Sequence, residues 1–309
     1  MIRPPALRPG ARVALVAPAG PLGEGAVERA VERVRAWGFE PVPGEACHGR
    51  HGYLSAPDAA RAADFNAALR DPSVDAVWSL RGGYGVMRIL DAIDWEALVA
   101  RPKALIGFSD NTALHLAARR LGVVSFHGPH PATVEMNDFA QAGLWRVLTD
   151  PAPAGRLPFP EGDASTETIT GGVAEGPLVG GNLSLVASTL GTAYAIDAEG
   201  ALLFLEEVGE PAYRVDRMLT QLRLAGVLDH VAGVVIGGFT ETPEGASPDH
   251  PAVEEVLRDR LGDLGVPVAV GFPFGHVADN WTLPVGVRAR LDAGAGRLEV
   301  LEGAVSAGD

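Results

Sequence analysis

Two hydrophobic periods alternate along this chain. Short continuous apolar runs end in glycine, proline or serine, and stretches with apolar residues three and four apart follow them. Residues 13–17 read as a first strand, closed by Pro18 and Gly20. Residues 24–37 read as an amphipathic helix, with Val27, Ala30, Val31 and Val34 at helical spacing and Gly38 as its stop. A second helix is predicted over 57–70, lined by Ala60, Ala63, Ala67 and Ala68. A strand over 75–80 leads into the turn Arg81-Gly82-Gly83-Tyr84-Gly85, and a helical stretch over 86–93 follows. An apolar run over 104–108 stops at Ser109, and the helical period resumes over 112–121.

Between 149 and 176 the periodicity breaks in a stretch rich in proline, glycine and aspartate. Beyond it the pattern predicts a helix over 182–190, a strand over 201–205 ending in Glu206-Glu207, and a helix over 212–224 stopped by Gly226. A strand over 231–236, a helix over 251–261 and a strand over 266–270 come next, with closing strands at 283–291 and 298–301. This order predicts an α/β fold in two domains. Residues 1–150 form a mostly parallel sheet flanked by helices, 151–175 a linker, and 176–309 an α/β domain with closing β-strands.

Composition narrows the partners. At 309 residues the chain can bury a substantial core, and its 47% hydrophobic and 21% charged content is that of a globular enzyme. A net charge of −14 argues against nucleic acid and anionic membranes, and an acidic substrate would need local arginines. The single cysteine, Cys47, excludes an internal disulfide and a cysteine-based metal cluster. The first residues lack a secretory pattern, and no window reaches the ~20 apolar residues that span a bilayer. The expectation is a soluble cytoplasmic protein.

The chemistry concentrates where strands end. A serine on a strand-to-helix turn has its hydroxyl clear of the backbone and lies beside the free N–H groups of a helix start. Ile106-Gly107-Phe108-Ser109-Asp110-Asn111 fits that description, although Asn111 stands where G-x-S-x-G has its second glycine. The alternative is a Ser-Asp helix cap without chemistry. Glu206 ends one strand and His276 follows another, so serine, carboxylate and imidazole can meet if the two domains face each other. Against this, strand-end glutamates often pair with a nearby arginine, here Arg214 or Arg217, and a loop histidine often serves only as a hydrogen bonder. His127 and His130 suggest a metal pair, but no third ligand has suitable spacing, so no metal or other cofactor is expected. The turn at 81–85 can form an anion nest or an oxyanion donor, or can need glycine for geometry alone. Its spacing matches neither phosphate-binding motif. Asn182, after Gly180-Gly181, suits a helix cap.

Taken in order, the motifs resemble the LD-carboxypeptidase family of serine peptidases. They are Val16-Ala17-Pro18-Ala19-Gly20, Gly52-Tyr53-Leu54-Ser55-Ala56-Pro57-Asp58 with Arg61, Leu80-Arg81-Gly82-Gly83-Tyr84-Gly85 and Ile106-Gly107-Phe108-Ser109-Asp110. His127-Gly128-Pro129, Gly180-Gly181-Asn182-Leu183, Leu205-Glu206-Glu207 with Tyr213 and Asp216-Arg217, and Gly275-His276 with Leu283-Pro284-Val285-Gly286 complete the set. The resemblance implies a Ser-Glu-His triad in a cleft between two domains, a homodimer, and a murein tetrapeptide as substrate, cut to release its terminal D-alanine. Carried onto this chain, Ser109 is the nucleophile, His276 the base and Glu206 the orienting carboxylate. Glu207 falls at the family's aspartate position, and strand alternation lets only one of the two reach the histidine. The oxyanion falls to the N–H groups of Asp110 and the Gly82-Gly83 turn, and Arg81 to the substrate carboxylate. A microcin-immunity type of substrate, a peptidyl nucleotide stacked on an aromatic ring, and a non-catalytic module that holds a small anion are the alternatives.

Overall fold

In the computed structural model, which describes residues 1–132, 136–162, 166–243 and 251–308, the apolar runs assemble into two sheets. The first contains β1 (Arg12–Val16), β2 (Glu40–Pro43), β3 (Ala76–Ser79), β4 (Ala104–Gly107) and β5 (Ser125–His127), all parallel. Helices α1 (Ala26–Ala36), α2 (Asp58–Arg70), α3 (Trp95–Ala100) and α4 (Thr112–Arg120) lie in its crossovers, and α5 (Asp138–Thr149) follows β5.

The second sheet contains β6 (Gly155–Arg156), β7 (Glu167–Thr170), β8 (Val173–Asn182), β9 (Leu202–Val208), β10 (Gly233–Thr240) and β11 (Val268–Val270). Strands β8 to β11 run parallel, and β7 pairs antiparallel at the β11 edge. Helices α6 (Leu183–Ser188), α7 (Ala212–Leu224) and α8 (Val253–Leu261) connect them. Strand β12 (Leu283–Val285) then crosses back and pairs antiparallel with β5. Strands β13 (Arg288–Asp292) and β14 (Arg297–Val300) return to complete the second sheet. The orders are β12-β5-β4-β3-β1-β2 and β6-β14-β13-β8-β9-β10-β11-β7.

Strand parity builds the core. On β9, Leu202 and Phe204 join an apolar cluster that also holds Leu15, Trp78 and Ile106 of the first sheet, so this cluster fills the space between the sheets. Leu203 and Leu205 point the other way, onto Val215, Leu219 and Leu222 of α7. Those three are spaced for one helix face, which is why this stretch winds as a helix against the sheet. Each fully buried leucine or valine contributes roughly 1.5–3 kcal/mol of transfer free energy.

Several expectations need correction. The 86–93 stretch is two short 3₁₀ turns, Val86–Arg88 and Leu90–Ala92, separated by Ile89 at a φ of −111°. The run over 151–175 supplies β6, β7 and the first residues of β8 to the second sheet. Short edge strands hide in such a segment because they need few apolar residues. The run over 283–291 is two strands in two different sheets, divided at Gly286. His250 and residues 163–165 lie outside the described residues.

Candidate active site

Ser109 sits at the end of β4 with a φ of 62°. For a non-glycine residue this left-handed backbone costs about 1–2 kcal/mol. The next three side chains hold it in place. Asp110 Oδ2 accepts the Val86 N–H at 2.9 Å, which bolts the elbow to the glycine turn. Asn111 Oδ1 accepts the Ser79 hydroxyl at 2.6 Å, which bolts it to β3. Thr112 Oγ1 accepts the Asn182 N–H at 2.9 Å, which ties α4 to the second sheet. Neither Ser109 nor Asp110 serves as a side-chain cap, so the cap alternative does not describe this junction. Among the described residues the Ser109 hydroxyl has no hydrogen-bond partner.

Parity on β9 decides the two glutamates. Glu206 follows Leu202 and Phe204 onto the inter-sheet face, and Glu207 follows Leu205 onto the helix face. Glu206 Oε2 accepts from His276 Nδ1 at 2.6 Å, which leaves Nε2 as the free ring nitrogen. The His276 ring packs on Phe108, the residue before Ser109, with centroids 4.8 Å apart. Glu207 instead accepts from Asn182 Nδ2 at 2.9 Å and from the N–H and hydroxyl of Ser184 at 2.8 and 2.7 Å. It secures the entry to α6, and burial pushes its carboxyl up. Arg214 pairs with Glu210 at 3.3 Å and Arg217 lies over the Tyr213 ring, so neither arginine takes Glu206. His276 reaches the acid through Gly275, where a φ of 96° turns the chain and an added Cβ would lie 2.6 Å from Glu206 Cβ.

The glycine turn closes over the serine. A Cβ placed on Gly82 would lie 2.8 Å from Ser109 Cβ, 2.9 Å from its Oγ and 3.4 Å from Asp110 N, so only glycine lets the turn approach this closely. The N–H groups of Gly82 and Gly83 have no acceptor among the described residues. Arg81 is half-buried and donates to the carbonyls of Pro21 at 2.6 Å and Gly82 at 3.2 Å, so one donor braces its own turn and another ties that turn to the loop after β1. Buried Arg61 reaches the carbonyls of Pro18, Ala56 and Gly85 and the carboxylate of Asp58. It clamps together the loops after β1 and β3, a role that its place in the sequence did not reveal.

Burial sets the electrostatics. Desolvation pushes Asp110 up to about 6, against the pull of the Val86 N–H and the Arg61 charge. Desolvation would also raise Glu206, but the His127 and His276 imidazoles outweigh it and hold the carboxyl down to about 2. The 2.6 Å contact with His276 is the stronger of the two, since His127 stands 3.8 Å away, beyond a hydrogen bond. His115 and His130 are pushed down to about 3, chiefly by burial. His115 lies against Gly107 O at 2.7 Å and the Ser125 hydroxyl at 2.9 Å, a neutral ring that donates once and accepts once. His130 packs on Phe108 with centroids 4.6 Å apart and faces the carbonyls of Ser79 and Phe108, so it is occupied without a metal partner in His127. Among the described residues, no group of three His, Cys, Asp or Glu is placed to hold a metal ion. No helix among them is long and apolar enough to cross a membrane.

Comparison with known proteins returns one family. The model of the LD-carboxypeptidase N-terminal domain matches residues 13–128, and that of the LD-carboxypeptidase C-terminal domain matches 175–291. The murein tetrapeptide carboxypeptidase of Pseudomonas aeruginosa is 33% identical over 287 residues, which cover 91% of this chain and 93% of that one. The solved muramoyltetrapeptide carboxypeptidase of Oxalobacter formigenes superposes with a TM-score of 0.82 at 30% identity, over 94% of this chain and 98% of that one. The microcin C7 self-immunity protein MccF of Escherichia coli is 27% identical over 296 residues, covering 85% of this chain and 84% of that one. A solved structure of MccF superposes with a TM-score of 0.90 at 24% identity, over 99% of this chain and 100% of that one, a likeness of fold.

Proposed function

From its membership of the LD-carboxypeptidase family, to which this chain belongs as a serine carboxypeptidase, we propose that it hydrolyses the amide joining the diamino acid of a murein tetrapeptide to its terminal D-alanine. The observation that carries this reading is the pairing of Glu206 Oε2 with His276 Nδ1 at 2.6 Å, with the His276 ring seated on the residue before Ser109.

The chemistry follows from those groups. His276 Nδ1–H is fixed on Glu206, so Nε2 is the basic nitrogen that takes the Ser109 proton as Oγ attacks the amide carbonyl. The oxyanion develops beside the Asp110 N–H and the Gly82-Gly83 turn, whose amides have no other acceptor among the described residues. His276 then protonates the leaving amine of D-alanine, and water, activated by the same imidazole, hydrolyses the acyl-serine. Glu206 stays ionised throughout, because its carboxyl is held near 2. The protein carries −14, so an acidic peptide needs a local cation, and the unspent Nη2 donors of Arg81 are the candidate for the D-alanine carboxylate.

The five tryptophans favour this substrate over a peptidyl nucleotide. Trp37, Trp78 and Trp145 pack on one another, Trp95 donates to Leu90 O, and Trp281 donates to Pro158 O while packing on Phe159. Trp78 and Trp281 are buried, and the half-buried Trp37, Trp95 and Trp145 are held by these packing and hydrogen-bond contacts. A cytoplasmic role in cell-wall recycling, with a homodimer as the working form, belongs to the same proposal. The test is incubation with L-Ala-D-Glu-diaminopimelate-D-Ala, with released D-alanine as the readout. Release by the native protein and not by Ser109→Ala is the expected result; no release by the native protein sinks the proposal.

A further inference from the structure

His127 is the histidine whose part in the site remains open. It ends β5, opposite Gly107 of β4, two residues before the nucleophile. Its side chain is fully buried, and both ring nitrogens lack a hydrogen-bond partner among the described residues. Buried polar atoms are rarely left so. Glu206 Oε1 is buried and unpartnered in the same way, and His127 Nε2 stands 3.8 Å from it. The ring has little freedom to turn elsewhere. Phe204 packs edge-on at 5.3 Å between centroids, Phe108 edge-on at 6.0 Å and His115 at 6.0 Å.

Resting on the hydrolase reading above, we propose that His127 is a positioning residue: its Nε2–H donates to Glu206 Oε1, so that the acid of the triad is held between two imidazoles. The contact joins the two sheets, since His127 belongs to the sheet of the nucleophile and Glu206 to the other. It therefore sets where the acid, and through it His276, stands relative to Ser109. The 3.8 Å gap is of the kind that tightens in a catalytic complex. The tautomer is dictated by the neighbour. With the proton on Nδ1, the Nε2 lone pair would face a carboxylate.

A second consequence is electronic. A donor on Oε1 withdraws charge from Oε2, the oxygen that holds His276, and so limits how tightly His276 retains its proton. The charged and titratable neighbours of His127 are Glu206 on β9, His115 on α4 and His130 in a loop, with His276 on the other oxygen of Glu206. His115 and His130 are neutral above pH 6, so they leave this balance to His127 and Glu206. Losing the donor moves the acid limb of the rate upward by about half to one pH unit.

The experiment combines ring ¹⁵N NMR of histidine-labelled protein with the pH profile of Ser109 labelling by a fluorophosphonate, in native protein, His127→Leu and His127→Gln. The expected results are an Nε2–H tautomer at His127 and an upward-shifted acid limb in His127→Leu. Labelling and kcat for the tetrapeptide fall about tenfold there, with KM within about twofold, and His127→Gln, which keeps a donor near Nε2, regains most of the loss. An Nδ1–H tautomer, or a His127→Leu protein with native rate and acid limb, overturns the proposal. Should His127→Leu fail to fold, the tautomer and His127→Gln decide: a Gln variant with a displaced acid limb overturns it. The tautomer is read without turnover, so an inactive native protein would sink the hydrolase reading and still leave His127 judged.

Discussion

Two strands of this protein run into helices side by side, and they end differently. Strand β8 enters α6 through Asn182, whose φ is −66° and whose Oδ1 accepts the Leu185 N–H at 3.3 Å. Glu207 backs that cap with contacts to Asn182 and Ser184. Strand β4 enters α4 through Ser109, at a φ of 62° and with no side-chain cap. The junctions touch, since the Asn182 N–H donates to Thr112 Oγ1. One is built for stability. The other leaves a hydroxyl uncommitted in a strained turn and is held by its neighbours Asp110, Asn111 and Thr112. Such strain persists where the surroundings over-determine it.

The comparison breaks first at the adjacent glutamates. Glu206→Gln is expected to lower kcat by about 10⁴, as loss of an orienting carboxylate does. Glu207→Gln should stay within about tenfold and instead lower stability by about 1–3 kcal/mol, through the bonds it makes to α6. D-alanine release and denaturant melts measure the two. Equal rate losses would mean that strand parity does not separate their roles.

Gly82→Ala comes next. Its Cβ would meet Ser109 Oγ at 2.9 Å, so the turn must withdraw from the elbow. The expected loss is about 10²–10³ in kcat, the size of one oxyanion donor. Retention of full activity would place the oxyanion elsewhere.

The pH dependence of stability sharpens the contrast between buried groups. His115 and His130, pushed down to about 3 from an ordinary 6.5, contribute stability that is complete above pH 6.5 and drains as the pH falls toward 3. Glu206, held near 2, loses its share only below its ordinary 4.5. Asp110, raised to about 6 from 3.8, acts oppositely: its contribution is present below pH 3.8 and is lost as pH rises through 6. Calorimetry should show Tm falling from pH 6.5 downward. In Asp110→Asn, which lacks the opposing group, the fall between pH 6 and 4 should be steeper; a shallower one contradicts this assignment.

The smallest effect belongs to the conventional junction. Asn182→Ala should cost about 1 kcal/mol of stability, the usual worth of a cap, with activity changed only a few-fold. Ser109→Gly is its mirror image, gaining up to about 1–2 kcal/mol as the strain is relieved while activity is abolished. Stability measured by urea melts tests both.

Much of this was legible along the chain. Local rules suffice for a serine between an apolar run and a helical period, for glycines in a tight turn, and for the β-α order. Pairings far apart in sequence were not. The period of a strand says that Glu206 and Glu207 face opposite ways, but not which face meets the other sheet. Spacing alone suggested a metal pair in His127 and His130, set aside for want of a third ligand, and said nothing of their real partners; the fold seats one against Glu206 and the other against backbone carbonyls. Arg61 stood among the motif residues of the resemblance without a role; the fold brings three loops onto it.

The sequence by itself determined most of the long helices and core strands, the elbow and the candidate Ser109, Glu206 and His276, because propensity, turn chemistry and hydrophobic period act over a few residues. Only the tertiary structure decided that 283–285 returns to the first sheet, that Glu206 rather than Glu207 meets His276, and that Arg81 and Arg61 brace loops. Those outcomes depend on which buried polar group finds its partner across a 70-residue separation such as that between Glu206 and His276, and desolvation makes that choice only once the sheets have packed.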